Sequence, residues 1–69
     1  MRDLQITHLL AEEIEALKLY HVDKLDQITA AQQMSVSQPT FSRILTSAYQ
    51  KVSEALIDGQ AIEIQPQDQ

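Results

Sequence analysis

Between Gln27 and Ser53 the chain carries no carboxylate, and hydrogen-bonding side chains crowd into that stretch: Gln27, Ser37, Gln38, Thr40, Ser42, Arg43, Thr46, Ser47 and Lys51. These types break no bonds among themselves. They are the amides, hydroxyls and cations that meet base edges and phosphate oxygens in nucleic acid. Gln38 suits an adenine, whose major-groove edge an amide can bond twice, and Arg43 suits a guanine or a phosphate. Gln27, Lys51 and the hydroxyls suit the backbone.

A rigid scaffold must hold such groups in line, and residues 27–46 supply one. They read as a helix-turn-helix: a helix ending at Met34, a turn Ser35-Val36-Ser37, and a second helix whose first residues face outward. Ala30, Ala31, Met34, Val36, Phe41 and Ile44 fall on inward positions, while Gln38, Ser42, Arg43 and Thr46 fall outward. The two helices of this motif cross closely, so Ala31 is the small residue required at the crossing, and Val36 fills the corner. Ser37 is placed to cap the second helix through its hydroxyl. Pro39 falls in the first turn, where its missing N–H costs nothing. Such a motif places its second helix in the major groove.

Charge limits the strength of any such binding. The 69 residues carry a net charge of −5, yet residues 27–53 alone carry +2 and the remainder −7. A surface cleared of acids can approach phosphates on an acidic protein, but two cations give weak attraction. A second protomer is therefore expected, as a homodimer on double-stranded DNA. A chain this short forms one small domain spanning 1–69 that gains from association. There are no cysteines, and no apolar run approaches a membrane span. Acids come too early for a secretory leader, so a soluble cytoplasmic protein with no membrane contact is expected.

Other constellations are weaker. His8 and His21 stand in no ligand spacing, so neither metal nor cofactor is expected. Glu12, Glu13 and Glu15 read as a solvated helix face. No nucleophile has a placed base and no glycine-rich loop is present, so no enzyme is expected.

Around the motif, Leu10, Ile14, Leu17 and Val22 recur at helical spacing and predict a first helix from about Leu10 to His21. Ile14 and Leu17 are expected to pack on Phe41, Leu45 and Ala48. Asp26 is placed to cap the second helix. The third keeps helical spacing to about Ile57, giving a recognition helix over 37–57 that outruns the motif, and Gly59 ends it. Residues 3–7 and 60–64 alternate like short strands and predict an antiparallel ladder, within one chain or between two. The fold class is all-α: three helices without a wing, with short terminal strands.

Taken together, Glu13 to Leu19, Ala30 to Leu45 and Ser47 to Ile64 resemble the UPF0251 (DUF134) family of small prokaryotic proteins, whose helix-turn-helix is similar to region 4 of sigma factors. The resemblance covers nearly the whole chain. It departs at four positions: Ser35 replaces the turn glycine, and Gln38, Tyr49 and Gln60 replace basic residues. Ser35 is thus expected at positive φ, and fewer phosphate contacts remain here than in relatives. The resemblance implies a sequence-specific DNA-binding protein that regulates transcription. The alternative is a protein-interaction module on the same fold, binding its partner through the acidic first helix or the terminal strands.

Overall fold

The structure, a computed structural model, describes residues 5–64. In chain order these are strand β1 (Ile6–Leu9), helix α1 (Ala11–Leu17) with a π-helical turn (Lys18–Val22), helix α2 (Gln27–Gln33), helix α3 (Gln38–Asp58) and strand β2 (Ala61–Ile64). The domain is mostly α, three helices joined to a two-stranded sheet.

The helix-turn-helix forms as its residues dictate. The Asp26 carboxylate accepts the N–H of Thr29 at 2.7 Å and opens α2. Ser37 opens α3 by accepting the N–H of Thr40 at 3.3 Å, with Pro39 in the first turn. Between them Ser35 takes φ 60°, the left-handed conformation expected of the residue standing where the turn glycine would be. Gly59 ends α3 at φ 68°, and the N–H of Gln60 closes the helix by bonding the carbonyl of Ala55 at 2.8 Å.

Ala16, Leu19, Ala30, Ala31, Phe41 and Leu45 form the buried core, with Leu17, Tyr20, Leu25, Met34, Val36 and Ile44 packed around it. Phe41 is fully buried at the centre and meets the Tyr20 ring edge-on, centroids 6.4 Å apart. The alanines let α1, α2 and α3 approach closely enough for one aromatic ring to fill the space between them.

Three expectations need correction. The first is the inward face of α1. Leu10 is exposed and Val22 is 71% exposed, whereas Leu9, Glu13, Ala16 and Leu19 are buried. Beyond Lys18 the cause is the π turn, in which the N–H of Asp23 reaches back five residues to Lys18 at 2.8 Å. The wider turn rotates the residues after Lys18 off the α-helical register and carries Val22 into solvent. Ile14 and Leu17 remain only half-buried, so the main contact passes to Ala16 and Leu19.

The second is Glu13, which is not on a solvated face but only 3% exposed. The third is the sense of the sheet. β1 and β2 run parallel, with Ile6 opposite Ala61, Thr7 opposite Ile62, His8 opposite Glu63 and Leu9 opposite Ile64. A parallel pair needs a long crossover, and the three helices together provide it. The expected strand residues 3 and 4 lie outside the described residues. The ribbon is held further by Thr7 bonding Gln60, by Gln60 donating to Gln5 at 2.9 Å, and by His8 Nδ1 3.2 Å from Glu63.

Candidate nucleic-acid interface

α3 divides lengthwise into three strips. Phe41, Leu45, Ala48 and Ala55 point into the core. Arg43 and Thr46 point to solvent on the opposite side, with Gln50 continuing the line. Thr40, Ser47 and Lys51 lie on a flank, half-buried.

The flank is where the arrangement departs from the residues' apparent purpose. Ser47 Oγ donates to Glu13 Oε2 at 2.6 Å, and Lys51 Nζ lies 2.9 Å from Glu13 Oε1. The backbone N–H of Leu10 donates to the same Oε1 at 2.9 Å. Burial pushes the Glu13 carboxyl up, but bonds from Ser47, Leu10 and Lys51, with the Lys51 charge, outweigh it and hold the group below the usual carboxylate value. Ser47 and Lys51, expected at phosphates, are thus engaged inside the fold. The signal for Glu13 was its position, since it interrupts a stripe made by Leu9, Ala16 and Leu19 at steps of three and four.

The remaining candidates share one end of the molecule. Ser37 is spent on capping, since its hydroxyl accepts from the Thr40 N–H and donates to Thr40 Oγ1 at 3.0 Å. Among the described residues the Thr40 hydroxyl donates no further hydrogen bond. Gln38 Nε2 donates to Gln27 Oε1 at 2.6 Å, joining the first residue of α3 to the first residue of α2. Ser42 is half-buried beside them, and Arg43 and Thr46 are exposed. Among the described residues Arg43 makes no ion pair, whereas Lys18 pairs with Asp23 at 2.8 Å and Lys51 with Glu13.

Two groups escaped the sequence reading. Lys24 precedes α2 at φ 62° and is likewise outside any ion pair among the described residues. Gln50 continues the exposed line of Arg43 and Thr46, one turn before Glu54 brings back negative charge. On the other side of α3, His21 and Tyr49 bond one another, their rings 5.5 Å apart. Burial, and then the nearby Tyr20, push the Tyr49 hydroxyl above its usual range. That contact gives Tyr49 a structural use.

Among the described residues no three His, Asp or Glu side chains converge as a metal site needs, and no helix is long and apolar enough to cross a membrane. What the face offers is hydrogen bonding and one unpaired guanidinium on a helix start free of acids, a surface suited to a polyanion with readable edges.

Comparison with known proteins places this surface in context. The family model described as "Protein of unknown function DUF134" matches residues 3–68. A UPF0251 protein of Halothermothrix orenii is similar, 42% identical over 67 residues, covering 97% of this chain and 50% of the relative. Another, from Caldanaerobacter subterraneus, is 47% identical over 57 residues, 83% of this chain and 48% of its own length. A third, from Rhodospirillum rubrum, is 45% identical over 64 residues, 93% and 45% of the two chains. The chain thus spans about half the length of the curated relatives it matches. No solved structure matches it.

Proposed function

The chain belongs to the DUF134 family, whose function is unknown, and we propose that its helix-turn-helix binds double-stranded DNA with sequence preference, as a regulator of transcription in the cytoplasm. In this reading the start of α3 enters the major groove and the start of α2 meets the backbone, as helix-turn-helix motifs dock. The observation that carries it is the exposed, acid-free start of α3 with Arg43 unpaired among the described residues. Gln27, Gln38, Thr40, Ser42, Arg43 and Thr46 make the contacts. Ser47 and Lys51 act indirectly, by fixing α1 against α3.

With so few free cations, each protomer releases few counterions from DNA, and useful occupancy calls for two protomers. Leu56 and Ile57 support this, being 74% and 85% exposed at the far end of α3. A homodimer joined there leaves both helix-turn-helix faces open.

The rival reading, a protein-interaction module without a DNA role, draws on the same exposed apolar residues and on Ile62 and Ile64 of the ribbon. A salt titration of binding to random duplexes separates the two. Sequence enrichment with a shallow salt slope, weakened by Arg43→Ala without loss of folding, supports DNA binding. No binding at low salt favours the module.

A further inference from the structure

The first residues of α2 and α3 touch through their side chains, and this contact has no part in the core. Gln38 is exposed and Gln27 half-buried, yet Gln38 Nε2 lies 2.6 Å from Gln27 Oε1 across 11 residues of chain. Ordering two long amides at a surface costs rotamer freedom and returns little stability by itself. The contact has a clearer use in what it leaves free.

We propose that Gln27 and Gln38 act as one unit that reads an adenine in the major groove. The proposal rests on the DNA-binding reading above and names the base pair that it recognises. A primary amide carries two N–H groups and one carbonyl. The reading requires that Gln38 give Gln27 the hydrogen trans to its Oε1, which keeps the other hydrogen beside Oε1. A donor and an acceptor then lie side by side in one plane. Adenine presents the complement, an N7 acceptor beside an N6 donor. Guanine presents two acceptors there, so Oε1 would meet an oxygen or a ring nitrogen with no hydrogen between them. The unit therefore discriminates between the two purines.

Gln27 is the positioning residue. It holds the Gln38 amide in its reading plane before DNA arrives, so the ordering cost is not taken from the binding energy. Its own two N–H groups remain free, and a phosphate is their natural acceptor. The N–H of Thr29 at the start of α2 is already taken by Asp26, and the Gln27 side chain adds donors there for a phosphate. An arginine or lysine at position 38 would bring charge but favour guanine. Glutamine at position 38 thus sets a base preference different from that of a basic residue.

The test is selection from a pool of random duplexes with the whole chain and four variants: Gln38→Ala, Gln27→Ala, the double variant and Gln27→Glu. The wild type is expected to enrich a motif with an A·T pair at one position of each half-site. Gln38→Ala flattens that position by about tenfold and leaves the others unchanged. Gln27→Ala weakens the same position by a smaller factor, and the double variant is no worse there than Gln38→Ala. Gln27→Glu keeps the acceptor for Gln38, so it retains the adenine preference while losing affinity overall. If the wild type enriches a motif and Gln38→Ala leaves its profile unchanged, the adenine assignment falls and DNA binding stands. If the two single variants alter different positions, they are not one unit. If the wild type enriches nothing at low salt, the adenine assignment and the DNA-binding reading fall together.

Discussion

Lys51 Nζ lies 2.9 Å from Glu13 Oε1 although 38 residues separate them, and Ser47, one turn earlier on α3, donates to the other oxygen of the same carboxylate. Glu13 accepts in addition from the N–H of Leu10, at the start of its own helix. One carboxylate therefore caps α1 and fastens it to the middle of α3. The contact also removes Lys51 from the charge available to an outside anion.

Replacing Glu13 by alanine leaves Ser47 without its acceptor and Lys51 without its counter-charge. Removing one partner of a buried pair costs about 3–5 kcal/mol. The Lys51 side chain is 31% exposed and can turn to water, which sets the expectation at about 3 kcal/mol. Urea unfolding of Glu13→Ala against wild type measures it. A change within about 0.5 kcal/mol, the range of ordinary surface substitutions, would show that the contact does not hold the helices together.

The same carboxylate makes stability depend on acid. Its folded form titrates below the ordinary value of 4.5, so the unfolded chain binds the proton first as pH falls. The stabilisation is complete above about pH 5.5 and is lost as pH drops from 4.5 through the lower folded value. Asp26, lowered from 3.8 by the Thr29 N–H, acts in the same direction over a lower window. Thermal melts from pH 7 to pH 2.5 should show a falling Tm, with a weaker dependence between pH 5 and 3 in Glu13→Gln. An identical dependence in the variant would assign the acid sensitivity elsewhere.

Ser35 at φ 60° occupies a conformation that costs an L-residue roughly 1 kcal/mol. Glycine there should raise stability by somewhat less, since it loses more freedom on folding. For a domain of this size the gain is about 2–6 °C in Tm, readable by calorimetry. A fall in Tm for Ser35→Gly would mean that the serine side chain contributes more to the turn than its backbone costs.

Leu56 and Ile57 end α3 at 74% and 85% exposure. If a second copy covers them, Leu56→Asp with Ile57→Asp should convert a dimer into a folded monomer in sedimentation equilibrium while leaving the helical circular dichroism unchanged. A wild-type chain that is monomeric at tens of micromolar would count against self-association through this end.

The helix-turn-helix was legible because its signals are local. Asp26 and Ser37 cap, Ser35 turns, Ala31 and Phe41 alternate small and large, and each acts within a few residues of itself. Ser47 and Lys51 were legible as a polar pair one turn apart, but their partner was not, because Glu13 stands among other acids at the start of a helix. A reading that gives every carboxylate to solvent overlooks the one set into an apolar stripe. The π turn left no comparable mark, as the apolar spacing through Val22 fits an ordinary helix. Strand existence was visible in alternation, whereas strand sense depends on where three helices deliver the chain. The contact between Gln27 and Gln38 belongs to the same class, since each residue was visible alone and their meeting was tertiary.

The parallel pairing of β1 with β2 also decides how the domain would bear a load. Ile6, which starts β1, and Ile64, which ends β2, lie at opposite ends of the ribbon. Tension applied through both residues slides the strands along each other and loads the rungs of the ladder together. Antiparallel strands would have presented both residues at one end, and the same tension would have peeled them apart rung by rung. Under such tension the ribbon is thus sheared rather than unzipped.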